Sequence, residues 1–276
     1  MVRRVDAAIA SLLVLLTCAA WDWSTVPTPS PGPTRSIGFY TAGCLQGAEA
    51  LPLDGPGYEA IRISRNRYWG QRVTLDYIGR LAEHVRGLGQ AHLYIGDIGQ
   101  PRGGPAPNGH ASHQTGLDAD IWFERQPGPR RPPADREQPR LRSLVRAADD
   151  GIDDDIFSPQ HLALLKAAAE MPELDRLFVN KWIKQRLCQT VTGERTWLNK
   201  LVVWAGHDEH FHVRLHCPPG NPQCQPQPAY YKDDGCGEPL ELWFRNPPVT
   251  LPPPGAPQVP YRPKLPAACD AVLKAP

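Results

Sequence analysis

Two histidine-bearing stretches, far apart in the chain, constrain this sequence more than anything else in it. The first runs Asn108-Gly-His-Ala-Ser-His-Gln-Thr-Gly-Leu-Asp-Ala-Asp-Ile-Trp122 and carries His110, His113, Asp118 and Asp120 around Gly116. The second runs Trp204-Ala-Gly-His-Asp-Glu-His-Phe-His-Val-Arg-Leu-His-Cys217 and carries His207, His210, His212 and His216. Six of the nine histidines fall in these two stretches, which random scatter rarely produces. A fold that uses both stretches must bring them side by side.

Their spacings say how. In an extended strand, residues two apart project to one face. His210 and His212 therefore point into one cleft, where one can bind a metal and the other sit beside a bound water. Asp118 to Phe123 reads as a strand with Asp118, Asp120 and Trp122 on one face. Gly116 lets the backbone turn, so His113 can come from a loop and Asp120 from the strand after it. Catalytic zinc takes three protein ligands and leaves a fourth position open. The expectation is that His113, Asp120 and His212 meet around one Zn2+ ion. A closed structural site would normally use four ligands, often cysteines, and the cysteines here read as disulfides. His110, three before His113, is an alternative or supporting ligand or part of a turn. His207 is out of the period-2 pattern and shares the proton chemistry or hydrogen-bonds water. Asp118 is placed to orient a ligand histidine. Asp208 and Glu209 are expected to face solvent, His216 to be structural, and Trp122 and Trp204 to belong to the core.

The N-terminus reads as an export signal over residues 1–20. Arg3 and Arg4 precede an apolar run from Ala7 to Leu16, and Cys18-Ala19-Ala20 offers small residues for cleavage after about Ala20. The run is too short to span a bilayer stably. Lipid attachment at Cys18 ranks second, because Thr17 is a poor residue before a lipidated cysteine. Of the seven cysteines, six then remain: Cys44, Cys188, Cys217, Cys224, Cys236 and Cys269. An even number after an export signal reads as three disulfides. Cys217 and Cys224 flank a Pro-Pro-Gly-Asn-Pro turn and suit a local pair; the other pairings stay open on this ground. A formal net charge of +1 carries no nucleic-acid or acidic-lipid footprint.

The 32 prolines concentrate in loops and tails. Residues 21–35 read as a proline-rich linker, 36–246 as the domain, and 247–276 as a proline-rich tail pinned by Cys269. Leu75, Ile78, Ala82 and Val85 recur at helical spacing until Gly87 and Gly89. Ala91–Ile95, Leu174–Val179, Leu201–Trp204 and Phe211–Leu215 read as strands. Ser158-Pro159 opens a helix through Glu170, and Lys181 to Cys188 reads as another. The fold class expected is α+β: an antiparallel sheet core with a zinc site in a cleft, flanked by helices and long disulfide-stapled loops.

His113-Gln-Thr-Gly-Leu-Asp-Ala-Asp120 with His210-Phe-His212 resembles the HxxxxxxD…HxH signature of the lysostaphin, D-Ala-D-Ala peptidase and hedgehog superfamily. Gly109-His-Ala-Ser-His-Gln-Thr-Gly-Leu-Asp118 and His212-Val-Arg-Leu-His-Cys-Pro218 are more specific. With Ile183-Lys-Gln-Arg-Leu-Cys188 and Asp234-Gly-Cys-Gly-Glu238, they resemble the penicillin-insensitive murein endopeptidases. The resemblance runs from about Ser36 to Phe244, and to Cys269 with the tail. It implies a periplasmic zinc metallopeptidase that cleaves D-alanyl–diaminopimelyl cross-links of peptidoglycan. It implies His113, Asp120 and His212 as ligands and His210 as the base, with His110 and His207 near the metal. It implies the disulfides Cys44–Cys269, Cys188–Cys236 and Cys217–Cys224. Ala111 and Asp118 follow the endopeptidase branch where the wider superfamily often has Ser and Ala. The family's Asp-Gly-x-His has only Asp150-Gly-Ile-Asp153 here, so no second metal site is carried over. Two rival readings follow the same residues: a zinc D,D-carboxypeptidase acting on free stems, and a wall-binding zinc module without catalysis, against which the presence of His210 counts. No nucleic-acid partner or membrane span is expected.

Overall fold

The computed structural model describes residues 23–89, 91–107, 111–126, 128–249 and 261–276. The proposed export signal, Cys18 and His110 lie outside them. The strands are β1 (Arg35–Phe39), β2 (Ala42–Gln46), β3 (Glu49–Ala50), β4 (Asp54–Gly55), β5 (Tyr58–Ala60), β6 (Trp69–Gly70), β7 (His92–Ile95), β8 (Asp118–Gln126), β9 (Leu174–Val179), β10 (Leu201–Val203) and β11 (His210–Leu215). The helices are α1 (Arg72–Gly87), α2 (Pro159–Glu170), α3 (Lys181–Thr190), α4 (Glu238–Arg245) and α5 (Ala268–Lys274). No described helix is long and apolar enough to cross a membrane.

A seven-stranded sheet in the order β10-β9-β11-β8-β7-β5-β4 forms the centre. It is mixed, which corrects the antiparallel expectation. The middle run β9-β11-β8-β7 is antiparallel, but β10 lies parallel to β9 and β5 parallel to β7. A parallel pair needs a crossover, usually a helix. Here α3 carries the chain from β9 to β10, and α1 lies between β5 and β7 in sequence.

Period-2 alternation gives this sheet two unlike faces. Ala119, Ile121 and Phe123 of β8 are buried in the main core with Phe211, Val213 and Leu215 of β11 and Leu177 and Val179 of β9. Leu75, Ile78, Leu81, Ala82 and Val85 of α1 and Leu164, Leu165, Ala168 and Ala169 of α2 complete that core. The Tyr77 hydroxyl donates to the Ala168 carbonyl at 2.9 Å and ties the two helices together. The other face of the same strands carries the polar side chains described below. Alternation thus supplies the apolar anchor and the site from one set of residues.

The three disulfides join Cys44 to Cys269, Cys188 to Cys236 and Cys217 to Cys224, the pairs implied by the resemblance. The first links β2 to α5 across 225 residues of sequence. Around it, Trp23, Ile37, Val272 and Leu273 form a second small core. Within the segment expected as a linker over 21–35, Trp23 and Ser30 are buried, at 6% and 4% exposed, while most of the residues between and after them are exposed. The proline-rich tail ends in a helix, α5, and Glu238-Pro239 opens α4 with proline at the helix start.

Gly116 sits at φ 71°, and a Cβ there would lie 2.5 Å from Leu45 Cδ2 and 3.0 Å from the Gln71 nitrogen. Its carbonyl accepts from Gln71 N–H and the Thr74 hydroxyl. Gly116→Ala should therefore lower stability by about 2 kcal/mol or more, the left-handed penalty plus the overlap. Chemical denaturation checks this; an unchanged midpoint would show that the turn relaxes freely.

Candidate metal centre

The polar sheet face is arranged in three rows set by strand register. Trp122 of β8 pairs with His210 of β11. Asp120 pairs with His212, which pairs in turn with Phe178 of β9. Asp118 pairs with Arg214, which pairs with Arg176. His113 reaches the middle row from the loop before β8. Its backbone is left-handed, at φ 65°, a conformation that non-glycine residues hold only when surroundings impose it. The backbone N–H of His113 donates to Asp118 Oδ2 at 3.1 Å.

His113, Asp120 and His212 are all buried, and one ligand atom from each lies within 4.8 Å of the others. His113 Nε2 is 3.4 Å and His212 Nδ1 3.1 Å from Asp120 Oδ1. Each ring's other nitrogen is already engaged. His113 Nδ1 lies 3.0 Å from the Ile98 carbonyl, so it carries the hydrogen. His212 Nε2 lies 2.8 Å from Asp118 Oδ1. Those contacts fix the tautomers. In neutral rings the inward nitrogens then turn lone pairs toward the Asp120 carboxylate, which is repulsive unless a cation sits among the three. A proton can answer part of this. Burial pushes the His113 imidazole down, but the Asp120 carboxylate, its hydrogen bond, and then Asp118 and Asp97 raise it to about 9. A divalent metal ion answers it more fully, and the donor set fits one.

Asp118 holds the arrangement from behind. Besides His113 and His212 it accepts from Arg214 Nε at 2.7 Å. Burial pushes its carboxyl up, but Arg214, His212 and His113 outweigh this and hold it well below the usual carboxylate range. The Arg214 guanidinium in turn lies over Phe178 and Tyr40, 5.0 and 4.5 Å from the ring centroids.

His210 stacks on Trp122 with centroids 4.8 Å apart. Its Nε2 is buried, has no hydrogen-bond partner among the described residues, and lies 3.6 Å from Asp120 Oδ1. Burial lowers its pKa, against the pull of Asp120 and together with His212 and His113, so the ring is neutral at neutral pH. The His207 ring lies 5.1 Å from that of His210, with Nδ1 3.1 Å from the Ala205 carbonyl. Its backbone is also left-handed, at φ 56°. Burial, then His210 and His212, lower its pKa well below the ordinary value.

A cavity of about 500 Å³ opens beside His207, His210 and His212 and continues past Phe178 to Arg176 and Tyr230. Trp204, 38% exposed, belongs to its wall and also to that of a neighbouring cavity of about 810 Å³. Trp204 is therefore a rim residue rather than core, whereas Trp122 is buried with Ile61 and Tyr94. Asp208 and Glu209 are half-buried, not solvent-facing; the Ser143 hydroxyl donates to Asp208 Oδ2. His216 is exposed and stands outside the cluster. Sequence reasoning missed Arg214, although its period-2 spacing from His212 was a usable signal. It also missed Ile98, Arg176 and Phe178, whose positions bear no sequence relation to the histidine stretches.

Fold and site together define a class: a mixed α+β protein whose sheet carries a buried histidine–histidine–carboxylate centre able to hold a metal ion. The chain belongs to the penicillin-insensitive murein endopeptidase family, whose model matches residues 36–274. It is 40% identical over 274 residues to the penicillin-insensitive murein endopeptidase of Klebsiella pneumoniae, covering 99% of this chain and 98% of that protein. The protein of that name from Haemophilus influenzae is 40% identical over 258 residues, 92% of this chain and 89% of the relative. That from Escherichia coli K12 is 38% identical over 272 residues, 98% and 97% of the two chains.

Proposed function

We propose that this chain is a zinc-dependent, penicillin-insensitive murein endopeptidase that hydrolyses D-alanyl–diaminopimelyl cross-links of peptidoglycan in the periplasm. The observation that carries the reading is the buried His113–Asp120–His212 cluster, with both histidine tautomers set so that a lone pair faces the shared centre. Two imidazole nitrogens and one carboxylate oxygen are a donor set that zinc accepts while leaving a position open. The relatives' name supports murein as the substrate. Three disulfides support an exported protein, and the reading includes loss of a leader at about Ala20.

Zinc, when bound there, would supply Lewis acidity toward the scissile carbonyl and activate water for attack. The remaining chemistry belongs to the chain. His113, Asp120 and His212 hold the ion, and Ile98 and Asp118 keep the two rings in register. His210 is neutral, so its Nε2 can take a proton from the attacking water and return it to the leaving amine. Trp122, stacked behind it, fixes the ring plane. His207, also neutral, shares the charge that forms on His210. No serine or cysteine nucleophile takes part, so an acylating antibiotic has nothing to modify.

The test is digestion of purified cross-linked muropeptide dimers, read by mass spectrometry. Dimers should become monomers. A chelator should stop the conversion, added zinc should restore it, and penicillin should leave it unchanged. A folded, zinc-loaded protein that converts no dimers would sink the reading. Trimming of free pentapeptide without cutting of dimers would move it to a carboxypeptidase.

A further inference from the structure

The third row of the sheet face holds a pairing that strands normally avoid. Arg214 and Arg176 are direct cross-strand partners, and like charges set opposite one another are unfavourable. Arg214 is answered by Asp118 at 2.7 Å. Arg176 is answered less completely. Its Nη2 donates to the Pro228 carbonyl at 2.7 Å and meets both oxygens of the adjacent Asp175 only at 3.3 Å. Its Nε is buried with no hydrogen-bond partner among the described residues. The residue as a whole is 5% exposed.

A guanidinium whose charge is incompletely paired, set in the wall of a cavity, is a cation that a ligand anion could answer. The surroundings show where one could. Arg176 lines the 500 Å³ cavity whose other end is formed by His207, His210 and His212. Phe39, Phe178 and Tyr230 are among the residues between and around these two ends. The Tyr230 ring centroid lies 5.9 Å from the Arg176 guanidinium carbon. The cavity thus joins the candidate metal centre to a planar cation through largely apolar walls. A planar guanidinium matches a carboxylate in shape as well as charge.

We propose that Arg176 anchors a carboxylate of the substrate peptide, so that the cavity selects acidic peptides and Arg176 is a specificity-determining residue. This rests on the reading of the chain as a murein endopeptidase, and names the diaminopimelyl arm as the acidic part.

The test is calorimetric binding to the zinc-loaded protein, so that no turnover is needed. The probes are the released diaminopimelyl peptide with free carboxyls and the same peptide with carboxamides. The wild type should bind the carboxylate form about tenfold tighter or more, the scale of a charge-assisted contact. Arg176→Met should bring that ratio near one while keeping zinc content. Arg62→Gln, which changes another cation over Trp122, should leave the ratio as in wild type. Equal affinities in the wild type would overturn the proposal, as would a ratio lost in Arg62→Gln and kept in Arg176→Met. Should Arg176→Met fail to fold, Arg176→Lys decides: a point charge in place of the fork should lower the ratio severalfold, and an unchanged ratio overturns the anchor. Selective binding without dimer cleavage would refute the proposed reaction and leave the anchor standing; cleavage without selectivity would do the reverse.

Discussion

His113→Ala is expected to remove zinc and, with it, all measurable dimer cleavage, whereas His210→Ala should keep zinc and still lose turnover. The two residues differ in what their inward nitrogen faces. His113 Nε2 lies 3.4 Å from Asp120 Oδ1 inside the three-residue cluster, and its other nitrogen is held by Ile98. Removing it leaves two donors, too few to hold the ion tightly at an open site. His210 is not in the cluster, and its neutral Nε2 lacks a hydrogen-bond partner among the described residues. Removing a positioned base costs about 10²–10⁴ in rate without touching the ligands. Metal analysis beside a dimer assay separates the two. A fully active His210→Ala protein would eliminate the proton-transfer role, and a zinc-loaded His113→Ala protein would eliminate the ligand assignment.

Asp118→Ala should produce the largest combined loss of stability and metal affinity. Its carboxylate receives the His113 N–H, faces His212 Nε2 and answers the Arg214 guanidinium, all in a buried setting. Alanine would strand Arg214, which is 4% exposed. Breaking a buried pair by deleting one partner costs about 3–5 kcal/mol. It would also free the His212 ring to rotate, and loss of such an orienting carboxylate weakens metal binding about 10–100-fold. Asp118→Asn keeps the volume and some hydrogen bonds, so it should fold better than Asp118→Ala yet still bind zinc more weakly than wild type. Denaturation midpoints and zinc titration measure both effects. Unchanged values for Asp118→Ala would mean that Arg214 and His212 find other partners at no cost.

Legibility in the sequence followed how local each feature is. The helix at Leu75–Val85, the strand Leu174–Val179 and the helix opened by Ser158-Pro159 all rest on short-range periodicity or capping, and the structure contains each. The mixed character of the sheet was less legible. Parallel pairing depends on where α1 and α3 return the chain, and no strand's own residues record that. The helix α4 carried a readable start at Glu238-Pro239, with Leu240 and Trp243 three apart and buried; the surrounding prolines masked it. The packing of Trp23 against Cys44 and Cys269 could not be read from a proline-rich stretch, because it depends on a disulfide spanning 225 residues.

The same division runs through the site. Sequence alone determined that Asp118 and Asp120 share one strand face, that His210 and His212 share another, and that Gly116 permits the turn between His113 and Asp120. These follow from a side-chain period of two and from the freedom of a residue without Cβ. Only the tertiary structure decided that the two faces coincide across the β8–β11 register, which nitrogen of each histidine looks inward, and that Arg176 and Phe178 of β9 extend the site. The physical reason is that ring orientation and pairing register are set by hydrogen bonds to residues remote in sequence. Those hydrogen bonds exist only once the sheet is assembled.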